Sequence, residues 1–466
     1  MQRLTGLDAG FLYMETPTLY MHTLKIGVID PSTAPGGYSF ERFRAEIERR
    51  LHLLPPFRRR VVEIPAGLHH PVWIEDPEFD LDRHLHRGRI PAPGTLREMD
   101  AVVAEIASSR LDREKPLWEM WALEGLEGGL VVFVTKIHHT LADGVAAAAM
   151  LANVATTEPG DVDPPPPSRP WSPEPIPDRG RLLRDAFRDH LKQLGRLPKL
   201  VWRTMKALVA VSRRRREIEV SPPLPFATPV TRFNRALSPR RSFATASLPL
   251  ADLKAVKSAF GVTINDVVLA VCAGSLRSFL AAHDRVPERP LVAGVPVSVA
   301  GAGDAPRLSG NRVSNLFTSL ATDVADPVER LRTIHRVTEQ AKGLNAILGT
   351  EMLMQWVEYT PPRPYAAIVR LYSRLRIGSR IRPPLNLVVS NVPGPIRPLY
   401  VAGAELRSVF SVGPVLEGIG LNLTAWSYLD RMNFGAIACR EAIPDLHEIT
   451  EGLGDALAEL VRAAAR

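Results

Sequence analysis

The chain has 466 residues, of which 45% are hydrophobic and 23% are charged. This balance is typical of globular proteins and excludes wholly disordered, collagen-like and coiled-coil chains. Two cysteines, Cys272 and Cys439, stand far apart in apolar sequence, which excludes a disulfide framework and favours a reducing cytosol. Asp8 and Glu15 interrupt the amino-terminal stretch, where a signal peptide needs an unbroken apolar core. We therefore expect a cytoplasmic protein that is either soluble or peripheral at a membrane surface.

The spacing of apolar residues predicts strands and helices in both halves of the chain. In the first half, we predict a strand at 23–29, helices at 40–51 and 99–109, a strand at 130–139 and a helix at 144–154. In the second half, we predict a strand at 241–248, a helix at 263–281, and strands at 291–299, 385–389 and 421–427. The pattern predicts a mixed α/β fold.

Two proline-rich stretches divide the chain. Proline makes up 42 of the 466 residues, and it is dense at 158–177 and again at 221–241, where neither a helix nor a central strand is expected. We therefore predict an amino-terminal lobe at 1–157, a proline-rich and basic linker at 158–240 and a carboxyl-terminal lobe at 241–466. Two α/β lobes of similar size favour an active site between them.

The net charge of +8 is concentrated in the linker. Residues 179–216 contain 13 Lys or Arg residues and two acids, so this segment carries +11 and the rest of the chain −3. Apolar residues recur in it at steps of three and four, which predicts two amphipathic helices separated by Pro198. Such helices are typical of a membrane interface; the alternative is a helix packed on the core with a solvated basic face. Nucleic-acid binding is disfavoured because no nucleic-acid motif accompanies the charge.

The strongest chemical signal is KIHHTLADG at 136–144, directly after an apolar strand. Side chains alternate along a strand, so His138 and His139 face opposite sides, which disfavours a metal site built from these two and Asp143. Asp143 can orient an imidazole or cap the helix that follows, and Gly144 allows close backbone approach. A neutral histidine of fixed tautomer is a suitable general base, although a buried histidine is often only hydrogen-bonded. Motifs of serine hydrolases, P-loop enzymes and zinc proteases do not occur in the sequence.

HHTLADG at 138–144 matches the HHxxxDG motif of the CoA-dependent acyltransferase superfamily, which includes chloramphenicol acetyltransferase and the condensation domains of peptide synthetases. More closely, the chain resembles bacterial wax ester synthase/acyl-CoA:diacylglycerol acyltransferases. The matching segments are LDAGFLYMETPTLYMH at 7–22, PLWE at 116–119, TINDVVLA at 263–270, SGNRVSN at 309–315, SNVPGP at 390–395 and NFGAIACREAIPDL at 433–446. The segment PVSVAGAG at 296–303 is similar to the family only in its first half, which leaves open what that loop contributes to substrate choice.

The resemblance implies a two-lobed, chloramphenicol-acetyltransferase-like fold with a tunnel between the lobes. It implies that His139 is the general base and that His138, Asp143 and Gly144 shape the turn around it. No covalent acyl-enzyme is implied.

Two further segments gain a role from the resemblance. Asn265 and Asp266 match a motif that supports the site from the second lobe, although Asp266 also fits a helix capping pattern. Pro116, Leu117 and Trp118 match a segment near the lipid channel of the family. The alternative for Trp118 is a place in the core.

The resemblance also implies the substrates. A long-chain acyl-CoA is the expected acyl donor and co-substrate, with no bound cofactor and no metal, and diacylglycerol or a long-chain alcohol is the expected acceptor. A membrane or lipid-droplet surface is an expected partner, and nucleic acid is not. Two alternatives stay open: transfer from a carrier protein, as in condensation domains, and a non-catalytic lipid-binding protein of the same fold.

Overall fold

The computed structural model describes residues 1–160, 163–167, 170–173, 175–217, 223, 226–298, 307–348 and 350–466. The helices in these ranges are α1 (Gly6–Met14), α2 (Phe40–Arg50), α3 (Leu96–Ala107), α4 (Gly144–Val154), α5 (Arg179–Glu217), α6 (Leu250–Phe260), α7 (Ile264–His283), α8 (Pro327–Leu348), α9 (Thr350–Val357), α10 (Pro362–Arg374) and α11 (His447–Ala464). The strands are β1 (Gln2–Arg3), β2 (His22–Asp30), β3 (Arg59–Val62), β4 (Val72–Glu75), β5 (Leu85–Arg89), β6 (Trp118–Leu126), β7 (Leu130–His138), β8 (Arg241–Pro249), β9 (Val292–Ser298), β10 (Val313–Ser319), β11 (Leu387–Val392), β12 (Tyr400–Val401), β13 (Ala404–Val412), β14 (Leu421–Tyr428) and β15 (Arg431–Cys439).

The segments predicted from apolar spacing form the predicted kinds of element. Their ends shift by at most three residues, and α4 has the predicted bounds. Local signals explain this agreement, because Thr95 and Thr263 start α3 and α7 with complete capping boxes. The mixed α/β fold class is confirmed.

The predicted pair of amphipathic helices in the linker is wrong, because α5 is one continuous helix with Pro198 inside it. A proline in a helix leaves the carbonyl four residues earlier without its usual donor. That carbonyl belongs to Leu194, whose side chain is exposed, so water can replace the missing donor there. The continuous helix therefore survives a residue that was expected to end it.

Parts of both proline-rich stretches, at 161–162, 168–169, 174, 218–222 and 224–225, lie outside the described residues, as does 299–306, which holds the divergent half of the 296–303 loop. The described part of 158–177 runs along the first lobe as a strap. His52 Nε2 lies 2.7 Å from the Pro165 carbonyl oxygen, and the Arg58 guanidinium lies 5.2 Å from the centre of the Trp171 ring.

Two six-stranded sheets organise the lobes. The first has the order β12–β13–β2–β7–β6–β5, and the second has the order β10–β9–β11–β14–β15–β8; β1, β4 and β3 form a small third sheet. Strands β12 and β13 come from the second half of the chain, yet β13 pairs antiparallel with β2 in the first sheet. The sheet of the first lobe is therefore completed by a segment that lies far away in sequence, while the predicted boundaries at 157 and 240 stay a prediction.

The largest apolar core joins both sheets. It includes Leu24 and Val132 of the first sheet and Leu423 and Phe434 of the second. Helix α7 is long and apolar enough to pass as a membrane span by length and composition, but 72% of its apolar window is buried in the protein. Its composition is therefore that of a core helix.

The backbones of the two sheets come into contact where β15 faces β13. Here Gly435 lies against the backbone of Ser411, and a Cβ on Gly435 would come 2.5 Å from the Ser411 carbonyl oxygen. Only glycine fits at this distance, because Cβ atoms do not approach a backbone oxygen so closely.

We predict that Gly435→Ala lowers the free energy of unfolding by about 1–3 kcal/mol, the usual cost of overpacking a core. The matched control is Gly343→Ala in α8, where a Cβ meets nothing within 4 Å and alanine favours the helix. Urea denaturation followed by circular dichroism measures both. Wild-type stability in Gly435→Ala would contradict this contact between the sheets.

Candidate active site

The two histidines at the end of β7 face opposite ways. His138 is fully buried; Thr140 N donates to its Nδ1 at 3.1 Å, and its Nε2 lies 3.2 Å from Glu15 Oε1. The nitrogen that accepts cannot carry the proton, so His138 is protonated on Nε2. His139 lies on the other side and is partly accessible. Strand alternation thus places His138 in the interior and leaves His139 available to a ligand.

Glu15 is the anionic partner of the buried histidine. Its carboxylate also lies 2.8 Å from Arg113 Nε and 3.9 Å from His22 Nε2. Burial alone would raise the pKa of Glu15, but the contacts with His138 and Arg113 outweigh it and lower this pKa to about 2. Burial also lowers the pKa of His22 well below its ordinary value. Glu15 is therefore ionised and holds His138, while His22 is neutral.

Strand β2 and helix α1 fix the backbone around His139. His139 N donates to the Met21 carbonyl oxygen at 2.6 Å, which extends the strand pairing by one residue. Thr140 Oγ1 donates to the Asp8 carbonyl oxygen at 2.6 Å. The Phe11 ring packs on the imidazole with 4.3 Å between ring centres. The ring of His139 therefore has one restricted orientation.

Asn311 sets the tautomer of His139. Its Nδ2 donates both to Asp8 Oδ1 and to the His139 carbonyl oxygen, each at 2.7 Å. These two bonds fix the orientation of the amide, so its Oδ1, which lies 2.9 Å from His139 Nδ1, can only accept. His139 therefore carries its proton on Nδ1 and presents an unprotonated Nε2. Thr5 Oγ1 in turn donates to Asp8 Oδ2 at 2.7 Å.

Burial keeps the imidazole of His139 neutral. Burial and the nearby charge of Lys25 lower the pKa of His139 to about 4, while Asp143 opposes this shift. Burial raises the pKa of Asp8 to about 6, although its bonds from Asn311 and Thr5 oppose the shift. At neutral pH, His139 is thus an unprotonated base and Asp8 is an ionised acceptor.

Asp143 holds the turn together rather than orienting an imidazole. Its Oδ1 accepts from Ala146 N at 2.9 Å, which makes it the N-cap of α4. Its Oδ2 accepts from Arg307 Nη2 at 2.6 Å and from Arg312 N at 2.9 Å. Asp143 therefore caps a helix of the first lobe and binds a segment of the second half of the chain at once.

Gly144 brings the start of α4 close to β11, since a Cβ on it would lie 3.4 Å from Val392 Cγ2. His138 points to Glu15 and Asp143 points to Arg307. These side chains thus do not converge with His139 on a common point where a metal would sit.

An apolar cavity of about 90 Å³ lies on the His139 side of the first sheet. Its wall includes Thr135 and Ile137 of β7, and His139 continues this row by strand alternation. Helices α2 and α4 and strand β13 close the cavity. Among the residues that they contribute are Phe43, Ile47, Met150 and Val409. The lining of the cavity is almost wholly apolar, and a continuous tunnel between the lobes stays a prediction.

Lys25 places a cation in this apolar wall. Its Nζ donates to Ser411 Oγ at 2.6 Å and lies 5.4 Å from the centre of the Trp426 ring. Burial lowers the pKa of Lys25 to about 8, against the opposing effect of Asp143. Lys25 is therefore mostly charged at neutral pH, on the same side of the sheet as His139.

The segment Pro116, Leu117 and Trp118 contacts His138 and backs the wall of the apolar cavity. The Leu117 carbonyl oxygen accepts from His138 N at 3.0 Å. Trp118 is fully buried; its Nε1 donates to the Phe57 carbonyl oxygen at 2.7 Å, and its ring stacks on Phe57 at 4.4 Å. Because Phe57 lines the cavity, Trp118 is a core residue that backs the cavity wall.

Asn265 and Asp266 lie at the first turn of α7. Asp266 is fully buried and accepts from Thr263 N at 3.0 Å, Thr338 Oγ1 at 2.7 Å and His335 Nδ1 at 2.8 Å. These bonds join the start of α7 to α8. Asn265 is partly exposed. The structure therefore gives Asp266 a capping and packing role, and it does not bring that carboxylate to the imidazole of His139.

Sequence reasoning missed four residues that touch the site or its turn. They are Asp8, Lys25, Arg307 and Asn311. The sequence reasoning used Asp8 only as an interruption of an apolar stretch and Asn311 only as part of a matching family segment. Their family segments, LDAGF and SGNR, were the available signal, but a segment match does not say which atoms meet.

Comparison with known proteins identifies the family. The wax ester synthase/diacylglycerol acyltransferase catalytic domain matches residues 4–268, and the C-terminal domain of that family matches residues 309–461. The chain belongs to this family. It is therefore an acyltransferase of the wax ester synthase/diacylglycerol acyltransferase type, as the sequence resemblance predicted.

Relatives in this family match over the full chain. A protein of Mycobacterium tuberculosis H37Rv, provisionally named a diacylglycerol O-acyltransferase, is 41% identical over 464 residues, which cover 100% of this chain and 97% of the relative. A second protein of that strain with the same provisional name is 39% identical over 467 residues, which cover 100% and 98% of the two chains.

Solved structures agree on the two-lobed fold. The wax ester synthase/diacylglycerol acyltransferase of Marinobacter aquaeolei VT8 superposes with a TM-score of 0.70 at 29% identity and 100% coverage of both chains. The first condensation domain of the calcium-dependent antibiotic synthetase superposes with a TM-score of 0.59 at 14% identity, covering 100% of this chain and 96% of that one. The second likeness shows the fold alone, and it confirms the predicted fold class.

We predict that Asp266→Ala acts on stability rather than on chemistry. Loss of the cap and of the buried bonds lowers the free energy of unfolding by about 2 kcal/mol at pH 7. The contacts with His335, Thr263 and Thr338 overcome burial and lower the pKa of Asp266. Its contribution is therefore present above its unfolded pKa of about 4 and is lost as the pH falls below that value.

Urea denaturation at pH 7 and at pH 3 should thus show a difference between wild type and Asp266→Ala that shrinks at the lower pH. The kcat of the folded variant should stay within about threefold of wild type. A hundredfold loss of kcat at unchanged stability would instead assign Asp266 to the reaction.

Proposed function

We propose that the protein transfers a long-chain acyl group from acyl-CoA to the hydroxyl of a lipid acceptor, diacylglycerol or a long-chain alcohol, with His139 as general base. The observation that carries this proposal is the partly accessible His139, whose Nδ1 is engaged by Asn311 and whose Nε2 is unprotonated, on the face of the first sheet that also bears an apolar cavity. The provisional names of the Mycobacterium tuberculosis relatives support diacylglycerol as acceptor.

The reaction needs one base and no covalent enzyme intermediate. His139 Nε2 takes the proton of the acceptor hydroxyl as its oxygen attacks the thioester carbonyl carbon. A tetrahedral oxyanion forms, and the carbon–sulfur bond then breaks as the ester carbonyl is restored. The departing thiolate takes the proton from the imidazolium and leaves as CoA. General-base catalysis of this kind contributes about 10²- to 10⁴-fold, so positioning and electrostatics supply the remainder.

Asn311 and Asp8 act as positioning residues in this scheme. While the ring is protonated on both nitrogens, Asn311 Oδ1 still accepts from Nδ1–H, and the Asp8 carboxylate holds the amide in place. The amide of Asn311 is already oriented toward the ring, so its dipole stabilises the imidazolium without any rotation of the side chain. This support matters because burial disfavours the charged ring.

The cavity and Lys25 suit the acyl donor. The apolar wall accepts an acyl chain through the hydrophobic effect. The ammonium of Lys25 adds positive potential on the side of the sheet where the oxyanion develops, and a preorganised cation in a buried site stabilises such charge strongly. The lipid acceptors partition into membranes, so the protein would work as a cytoplasmic enzyme at a membrane or lipid-droplet surface.

We predict that His139→Ala lowers acceptor-dependent CoA release by at least about a hundredfold, because the base is lost. The measurement is thiol release from palmitoyl-CoA with dioleoylglycerol or hexadecanol as acceptor. The better acceptor identifies the product class. The matched control is His138→Ala, which removes the neighbouring ring from the interior; it should lower stability and leave a larger residual kcat per folded molecule than His139→Ala.

Two outcomes would contradict the proposal. Wild-type protein that is inactive with both acceptors would redirect the search to donors bound to a carrier protein. Lipid binding that is unchanged in His139→Ala, without any acyl transfer by wild type, would indicate a non-catalytic lipid-binding protein.

We predict that protonation of His139 does not limit wild-type kcat/KM above pH 6. Burial lowers the pKa of His139 to about 4, so its acid limb lies below this range, and any slope between pH 6 and 8 comes from Asp8, with a pKa of about 6, and Lys25, with a pKa of about 8. The double variant Asp8→Asn/Asn311→Asp moves one negative charge from residue 8 to the ring and keeps the net charge. A carboxylate beside an imidazole raises its pKa by about 1–3 units, so the acid limb of kcat/KM moves up by at least one unit.

The matched control is Asp8→Asn alone, which keeps the amide beside the ring and should leave the acid limb in place. The pH profile separates positioning from mere packing, because a packing defect would lower activity at every pH alike. An unshifted acid limb in the double variant would rule out Asn311 as the residue that governs the protonation of His139.

A further inference from the structure

The linker helix α5 turns its apolar stripe away from the protein. Six of its large apolar side chains are more than half exposed, with Phe187 65% and Trp202 64% accessible. The six are Phe187, Leu191, Leu194, Trp202, Met205 and Leu208. At 3.6 residues per turn they share about one third of the helix circumference. An apolar stripe of this length on a solvent-facing side requires a partner.

The opposite side of α5 attaches it to the protein. Leu182, Ala186 and Leu200 are buried there. The attachment continues through hydrogen bonds, since Tyr359 OH donates to the Gln193 carbonyl oxygen at 2.8 Å. Helix α5 therefore packs on the protein through these few apolar residues, while its longer apolar stripe faces away from the protein.

A basic band borders the exposed stripe. Arg188, Lys192 and Lys206 lie on the flank next to it, and the side chains of Arg188 and Lys192 are 67% and 69% exposed. Further round the helix, Arg196 and Arg203 line a crevice between α5 and α9. The stripe and the band together form the pattern of a helix that lies in an anionic membrane interface.

Helix α10 repeats this pattern independently. Its stripe consists of Ile368 and Leu371, with Leu375 directly after the helix, and all three are exposed. None of the residues of Pro362–Arg374 is fully buried. The helix also carries Arg363, Arg370 and Arg374. We call the exposed stripes of α5 and α10, with their basic neighbours, the outer surface.

A shared loop connects the two helices of the outer surface. His190 Nε2 of α5 lies 2.7 Å from the Leu68 carbonyl oxygen. The Arg363 side chain of α10 covers Gly67, where a Cβ would come 2.8 Å from Arg363 Cγ. Leu68 itself is exposed, so apolar surface continues between the helices.

The outer surface adjoins the site through α1. Gly6 N at the start of α1 donates to Glu358 Oε1, just after α9, at 2.8 Å, and the Tyr13 ring of α1 lies 6.5 Å from the Tyr365 ring of α10. On its other side, α1 presents Phe11 to His139 at 4.3 Å. One helix thus separates the outer surface from the candidate base.

We propose that the outer surface docks on an anionic phospholipid bilayer, with both apolar stripes inserted at the level of the headgroups. The charge of the band favours an anionic over a neutral lipid surface, because each Lys or Arg gains attraction from anionic lipid, and the long apolar stripe beside it fits insertion at the headgroups. The inference deepens the proposed function by naming where a lipid acceptor reaches the protein. Binding to vesicles requires no acyl transfer, so the two proposals can fail separately.

The experiment is flotation of the full chain with vesicles of phosphatidylcholine containing 30% phosphatidylglycerol, compared with phosphatidylcholine alone. We expect binding to the anionic vesicles that weakens by about tenfold or more without phosphatidylglycerol or in 0.5 M NaCl, because salt screens surface charge. The apolar variant is Phe187→Ser/Trp202→Ser/Met205→Ser, and the charge variant is Arg188→Gln/Lys192→Gln/Lys206→Gln. Each should require at least tenfold more anionic lipid for half-maximal binding.

Three controls keep the result specific. Leu96→Ser/Val230→Ser removes two exposed apolar side chains outside α5 and α10 and should float like wild type. His139→Ala should also float like wild type, which separates docking from catalysis. In Trp202→Phe, which retains an aromatic ring, binding should persist while the blue shift of tryptophan emission on vesicle addition becomes smaller.

Wild-type protein that stays with the unbound fraction, or apolar and charge variants that float like wild type, would overturn the proposal. Sedimentation velocity tests whether a second copy of the chain, rather than a membrane, covers the outer surface. A dimer that the apolar variant converts to a monomer, in protein that does not float, would instead make the outer surface an interface between two copies of the chain.

Discussion

The hydrogen bonds between the 138–144 turn and residues 307–312 are the interaction on which the site depends. Asp143 caps α4 and binds Arg307 and Arg312 N, while Asn311 binds the carbonyl oxygen and the ring of His139. Asp143 and Asn311 are buried, so an unmade bond would leave their polar atoms desolvated without a partner. The base is therefore in position only when the two halves of the chain have come together.

The electrostatics of the site follow from the same burial. A buried imidazole resists protonation, and the charge of Lys25 adds to this resistance. Two carboxyl groups near it are ionised at neutral pH: Glu15, which contacts His138, and Asp8, which accepts from Asn311. This arrangement separates two adjacent histidines into different tasks. One holds the turn, and the other is free to exchange a proton at Nε2.

The long linker helix connects this chemistry to the location of the substrate. A helix that packs on a core buries its apolar stripe, but α5 attaches through Leu182, Ala186 and Leu200 and exposes its longer stripe. Helix α10 likewise exposes its apolar stripe, and it packs beside α1. The enzyme family acts on lipids, and an apolar surface one helix away from His139 shortens the path that a poorly soluble acceptor would travel.

The sequence by itself determined the features that depend on neighbouring residues. Apolar period located β2, β7, β8, β9, β11 and β14 with α2, α3 and α4, and the capping residue Thr263 located the start of α7, because these signals act within one or two turns of chain. Strand parity separated His138 from His139 for the same reason. The family segments identified the fold class and the acyltransferase family, since they record the chemistry of a whole family rather than a local preference.

Tertiary structure alone decided which distant groups meet. The pairing of β13 with β2, the bond between Asn311 and His139, and the cation of Lys25 in an apolar wall join residues that lie between 172 and 388 positions apart. No local preference encodes such contacts, because their free energy arises only when both partners lose water together. The direction of the α5 stripe was undecided for the same reason. An amphipathic pattern shows that a helix has an apolar face, but only packing determines whether that face meets the core or the solvent.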